Sequence, residues 1–179
     1  MKKYLIAIVA VLFVSTAVFA QSAGEVKIRV SGGYALYLSP EVVLTGTGTT
    51  ITKGGLAYGA AVLYKMGDMS IGIDALNIPL YEMKYTISGV EFKAGVAGMA
   101  ALAVIQMDMK PAYIEAGIGA GLMNTYAGIS ILTVGVGSTC LAIGAGGGIN
   151  LGPIDVGVTA YYFTTGSYIT VVPRVNMFF

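Results

Sequence analysis

Nine charged residues sit among apolar or small neighbours, where ionic chemistry would have to work out of water: Lys27, Arg29, Lys65, Lys93 and Arg174 against Asp74, Glu91, Glu115 and Asp155. Carboxylates such as Asp74 and Glu91 carry the chemistry for general acid–base work. With cations and anions nearly equal in number, salt bridging is the better-supported reading, because a charge withdrawn from water must be paired. The rest of the catalytic vocabulary is missing. The chain has no histidine, which removes Ser-His-Asp hydrolysis and HExxH zinc sites. Its one cysteine, Cys140, builds neither a zinc cluster nor an intrachain disulfide and reads as a buried or lipid-facing thiol. The glycine runs at 117–121 and 144–148 are followed by no Lys-Ser/Thr pair and lie in no βαβ unit. They read as close-packing positions and not as phosphate loops. No catalytic residue, cofactor or metal site is expected.

What positions these charges follows from composition and period. Charged residues make up 11% and apolar ones 56% of the 179 residues, against about 25% and 45–50% in ordinary soluble domains. No charge occurs between Glu115 and Asp155, and such a stretch makes a poor water-facing surface; the chain belongs in a membrane. A net charge of +1 gives no reason to expect nucleic acid or an acidic partner. Lys2 and Lys3, the apolar run Tyr4–Val14 and the small residues Val18 and Ala20 form the three-part pattern of a signal peptide over residues 1–20. That leaves residues 21–179 as one domain. Gln21 and not a cysteine stands directly after the cleavage point, which disfavours a lipid anchor.

Only helix bundles and closed barrels satisfy every backbone polar group in lipid, and the period favours the barrel. Ile154, Val156, Val158, Ala160 and Tyr162 alternate with Asp155, Gly157, Thr159, Tyr161 and Phe163, and the pattern recurs around Lys27, Asp74, Glu115 and Arg174. A helical alternative draws on the Ala-rich run 94–107 and on GxxxG spacings. However, the run is short for a span, and glycine at every second residue suits one face of a strand. Turn formers at Gly67-Asp68, Asp108–Pro111 and Gly152-Pro153 alternate with longer connections at 39–54, 77–88, 124–137 and 164–167. Short turns opposite longer loops are the pattern of periplasmic turns and extracellular loops. The expected fold is all-β: a closed up-and-down antiparallel barrel with strands near 26–38, 55–66, 69–78, 89–104, 112–123, 138–151, 154–163 and 168–179. Val42–Leu44, Thr49–Thr52 and Tyr126–Val136 are strand-like in themselves. They either extend hairpins beyond the membrane or, for the last, add a strand to make a ten-stranded barrel.

Period two assigns all nine charges to the lumen parity. An eight-stranded interior is just wide enough for side chains to fill, so a salt-bridged plug is expected, with a hydrated constriction as the alternative. With the last hairpin turning at Thr165-Gly166, Arg174 falls opposite Gly157 and diagonal to Asp155, within long-side-chain reach. Tyr161, Met99 and Leu63 are the candidates to fill space beside the inward glycines. Tyr34, Tyr58, Tyr64, Phe92, Tyr162 and Phe179 fall on the lipid parity, as interfacial girdles require, while Tyr81, Tyr85 and Tyr126 read as loop residues.

Signal peptide, alternating strands and the terminal run Asn176-Met177-Phe178-Phe179 together resemble the small outer-membrane β-barrels of the OmpA, OmpX and OmpW type. The resemblance covers the mature chain as architecture and is specific at the C-terminus. It implies that Val175, Met177 and Phe179 form the apolar signal read by the barrel-assembly machinery. Outer-membrane lipids and that machinery are then the partners of a monomer in the bacterial outer membrane. Pro173 departs from a clean final strand, since proline removes a ladder donor. Nothing follows Phe179, so the peptidoglycan-binding domain of the larger OmpA proteins is not expected. The function implied is non-enzymatic: a porin-like shape with a narrow, charge-paired lumen and a structural or surface role in the envelope. Two alternatives stay open, an OmpW-like channel for small or hydrophobic molecules, and an adhesin or host-ligand binder acting through loop residues 45–52 and the third loop.

Overall fold

The computed structural model describes residues 24–40, 49–129 and 132–179. The signal-peptide positions 1–20 and residues 41–48 of the first connection lie outside them. Nine antiparallel strands are present among the described residues: β1 (Glu25–Ser39), β2 (Thr49–Lys53), β3 (Gly55–Met66), β4 (Met69–Ile87), β5 (Val90–Met109), β6 (Ala112–Ile129), β7 (Leu132–Asn150), β8 (Ile154–Phe163) and β9 (Tyr168–Phe178). All but β2 close into a ring in which each strand pairs with its chain neighbours, and β9 returns to β1. The barrel is therefore eight-stranded. The ten-stranded alternative fails because 126–129 and 132–136 belong to β6 and β7, paired with each other from Ala112↔Ile149 to Ile129↔Leu132.

Alternation builds the ring. On β1, Val26, Ile28, Val30 and Tyr34 face outward and exposed, while Arg29, Ser31, Ala35 and Tyr37 face inward and buried. A closed ring has no free edge, so backbone groups in the apolar zone have a neighbouring strand on both sides. The turns at 67–68, 110–111 and 151–153 gather at the end that carries both termini. At the opposite end β8 and β9 are joined by a short 3-10 turn at Thr165–Ser167, where Gly166 takes φ 74°. Pro173 leaves the β8 ladder continuous, but pairing to β1 skips from Arg174 to Val171. The missing donor therefore falls on the closing seam.

One expected loop is strand instead: positions 77–87 continue β4. Residues 124–129 and 132–136 take the first of their two expected readings and extend the β6–β7 hairpin well past the level at which β8 ends. Pro79 hides the first continuation. The β4–β5 register jumps from Pro79↔Ala97 to Tyr81↔Val96, so Leu80 is a bulge residue and the inward parity changes from even to odd. Residues that should alternate with Ile78 stop doing so, and the strand looks interrupted. The result is a one-sided wall, β2–β4–β5–β6–β7, standing beyond the ring.

Replacing Tyr126–Gly135 by an Asn-Gly turn, which would join the paired residues Thr125 and Val136, leaves every residue of the ring in place. The purified variant should keep a β-rich circular dichroism spectrum in detergent and its mobility shift on boiling. Loss of both would show that the wall is needed to close the barrel.

Candidate functional site

The centre of the lumen is occupied by four ions from four strands. Arg29 on β1 and Arg174 on β9 face Asp74 on β4 and Glu115 on β6, and all four are buried, Arg29 at 0% exposure and Glu115 at 8%. Arg29 Nη2 donates to Asp74 Oδ2 at 2.6 Å and Nη1 to Glu115 Oε2 at 2.8 Å. Arg174 Nη1 reaches Asp74 Oδ2 at 3.2 Å, and its Nη2 bonds Glu115 Oε1. Each arginine thus bridges both carboxylates. Two guanidinium forks suit this arrangement because they present planar pairs of donors.

Neutral side chains complete the cluster. Thr159 donates to Glu115 Oε1 at 2.8 Å, Arg29 Nη1 also donates to Gln106 Oε1 at 3.2 Å, and Arg174 Nη1 donates to the Tyr161 hydroxyl at 3.1 Å. Toward the termini, Gln106 Nε2 donates to Asp108 Oδ1 at 2.9 Å, and Lys65 pairs with Asp108 at 3.4 Å. A second chain runs from Ser31 to Asn176 (2.7 Å) and from Asn176 to the Tyr113 hydroxyl (3.2 Å). The gap left beside Asp74, Glu115, Leu102 and Tyr161 is a cavity of about 10 Å³, room for about one water.

The inward glycines admit the large rings that seal this lumen. A Cβ on Gly121 would lie 2.9 Å from Phe163 Cδ1, and one on Gly144 would lie 3.1 Å from Tyr161 Cε1 and from Leu102 Cδ1. Of the expected fillers, Tyr161 stands there and Leu63 is buried by the bulge-free part of β4, but Met99 points outward at 49% exposure. Above the cluster, Tyr37, Tyr81 and Tyr168 pack with ring centroids 5.4–6.4 Å apart. They roof the lumen on the side away from the termini.

The nine charges expected in the lumen separate into four groups. Arg29, Asp74, Glu115 and Arg174 form the cluster. Lys65 and Lys27 lie inward near the termini, Lys27 at the rim 3.8 Å from Glu25. Asp155 is fully buried, yet neither of its oxygens meets a hydrogen-bond partner among the described residues. Arg174 does stand opposite Gly157, but its guanidinium reaches across the lumen to β4 and β6 and leaves Asp155 aside. Glu91 and Lys93 are not in the lumen at all. They share the outward parity of Met99 and pair with each other at 3.2 Å on the outside of the wall. Their parity was read from an inside-polar rule that holds only within the membrane.

Tyr113, Thr159, Thr170 and Asn176 are buried on the inward parity that the alternation gives them, while Gln106 and Asp108 are lumen groups that lie beyond the expected end of β5 and escape the sequence reading. Val175, Met177 and Phe179 face outward, 46%, 48% and 73% exposed. Tyr34, Tyr58 and Tyr162 also face outward; Tyr64 shares that parity, paired with Val26, but is covered beside Gly24. Phe92 faces inward, stacked on Tyr85 with centroids 5.1 Å apart. Tyr81, Tyr85 and Tyr126 stand on strands and not in loops.

No family model matches this chain, and no curated protein does. Solved structures do. Ail, the attachment invasion locus protein of Yersinia pestis, is 15% identical with a TM-score of 0.54, the match covering 87% of this chain and 99% of that one. Neisserial surface protein A is 14% identical with a TM-score of 0.50, over 88% and 100%. At such identities the likeness speaks for the fold, and together with the ring of eight strands and its inverted polarity it gives this chain the architecture of a small outer-membrane β-barrel.

Proposed function

We propose that this protein is a non-enzymatic outer-membrane barrel with a closed lumen, which anchors its projecting wall in the cell envelope as a structural and surface element. The observation that carries the reading is the Arg29–Asp74–Glu115–Arg174 cluster, whose bonds cross the lumen from four strands. An ion passing through would have to break charge pairs in a low-dielectric interior, where an unpaired ion is strongly disfavoured. The narrow residual space supports a plug over a pore, and among the described residues no group of side chains in the lumen is arranged as nucleophile and base. In this reading export depends on the signal-peptide pattern at residues 1–20, and the barrel-assembly machinery engages the outward Val175, Met177 and Phe179. The mature barrel is a monomer among outer-membrane lipids.

Reconstituted in planar bilayers, the protein should be electrically silent; steady, ion-selective steps would replace the plug by a channel. Arg174→Met should destabilise the barrel by about 3–5 kcal/mol, the range for stranding one side of a buried pair, read from unfolding in urea. Adding Glu115→Gln should recover part of the loss. Adding Asp155→Leu should recover nothing, since no hydrogen bond or ion pair joins Asp155 to Arg174. An unchanged urea midpoint for Arg174→Met would mean a hydrated cluster and would favour conduction.

The terminal residue tests biogenesis separately. Deleting Phe179 should lower the amount of heat-modifiable protein in outer-membrane fractions several-fold, with a much smaller effect on refolding of the purified chain into detergent. Equal losses in both assays would make Phe179 an ordinary girdle residue.

A further inference from the structure

The wall beyond the ring reverses the polarity of the barrel. Its outer face carries Glu82, Lys84, Glu91 and Lys93 in two ion pairs at 3.2 Å, with the Tyr126 hydroxyl donating to Glu82 at 3.1 Å. Its inner face is apolar and open: Leu132, Val134 and Val136 on β7 are 64%, 66% and 71% exposed, beside Ile129, Val90 and Ile87. A charged outer face belongs in water, so the wall stands outside the bilayer.

The wall also has a bare edge. Pairing of β7 to β8 begins at Ala142↔Phe163. Just above it, Leu141 N–H donates to Thr164 Oγ1 at 3.1 Å, and Thr164 N–H donates to Leu141 O at 3.0 Å. Leu141 therefore points its backbone groups to the β8 side, and by strand alternation so do Thr133, Gly135, Gly137 and Thr139. Their N–H and C=O groups have no partner among the described residues. Unpaired edges are normally protected by lysine, proline or a bulge. Residues 132–140 contain no charge and no proline, and their pairing to β6 shows no register shift.

We propose that the β7 edge from Thr133 to Thr139 binds an extended peptide of a soluble partner, which adds as a further antiparallel strand with apolar side chains at alternate positions. Backbone groups would supply the affinity. The face polarity supplies the selection: apolar residues of the incoming strand fall on the inner side next to Val134 and Val136, and small or polar ones fall beside Gly135 and Gly137. A second copy in the same bilayer fits poorly. A two-fold axis along the membrane normal brings the two β7 strands together parallel and level, whereas parallel hydrogen bonding needs their bonding residues staggered. The inference depends on the wall standing in water and not on whether the lumen conducts.

The test uses the full barrel in detergent and a fluorescein-labelled probe, an alternating Thr-Val octapeptide with lysines at both ends, read by fluorescence anisotropy. Saturable binding is expected. It should be abolished when the Thr amides are N-methylated, since in an antiparallel addition these face β7, and it should survive methylation of the Val amides. Thr139→Pro and Gly135→Pro each remove an edge-facing N–H without touching the β6 ladder and should weaken binding tenfold or more. Their mobility shift on boiling should be retained, which separates edge loss from misfolding. No saturable signal up to millimolar probe, binding that survives both methylations, or proline variants that bind like the wild type would each overturn the proposal. So would self-association of the wild type that the proline variants lose while the probe does not bind, because the edge would then belong to a neighbouring copy.

Discussion

Everything in this barrel depends on neutralising charge inside a ring too narrow for bulk water. Closing eight strands satisfies the backbone in lipid and leaves an interior that side chains must fill. Two arginines and two carboxylates meet that demand at its centre, each guanidinium touching both acids. The four residues come from β1, β4, β6 and β9, so the cluster ties opposite walls as well as balancing charge. Its energetic contribution is asymmetric. A well-packed apolar core of equal volume could be as stable, but removal of any single member strands an ion. Such a cluster therefore fixes which strands face one another more firmly than it raises stability.

Packing around the cluster follows from it. Long arginine side chains crossing the lumen need room, and the inward glycines of β5, β6 and β7 leave that room for Phe163, Tyr161 and Tyr113 as well. Rings fill what the ion pairs cannot, and the tyrosines at 37, 81 and 168 close the top. The outer surface meanwhile needs only to be apolar, which is why Val, Ile and Met dominate it without any register-specific contact.

The ring was legible in the sequence because lipid on one side and a charged lumen on the other force the cleanest possible period of two. Arg29, Asp74, Glu115 and Arg174 were on the right parity, and the Thr165-Gly166 turn put Arg174 opposite Gly157. Partner choice was not legible. Neighbouring-strand geometry suggested Asp155, but a side chain as long as arginine spans a narrow lumen, and contacts across it have no signature along the chain. The wall was legible in part, since 49–52 and 126–136 are strand-like in the sequence, and its β4–β5 portion was obscured for a different reason. Outside the membrane the polar side changes, so Glu91 and Lys93 obey the alternation while reversing its meaning, and the bulge at Leu80 breaks the alternation outright. Phe92 was misplaced by the same reversal.

That reversal shows how one set of strands serves two solvents. Within the bilayer each strand is apolar outward and polar inward. Beyond it, β5, β6 and β7 keep their backbone parity and exchange residue types, whereas β4 inserts one residue and so exchanges parity. Either device gives the wall a water-compatible outer face. Neither hides the inner one among the described residues, where β8, β9 and β1 stop short and supply no opposite wall. A ring removes every strand edge, and extending four of its eight members restores two. At one of them β2 is only five residues long and carries Lys53, the kind of edge that discourages pairing. The β7 edge has neither protection. Ring closure does not require this length of uncharged, unpaired strand, so the reason for it has to be sought outside the bilayer.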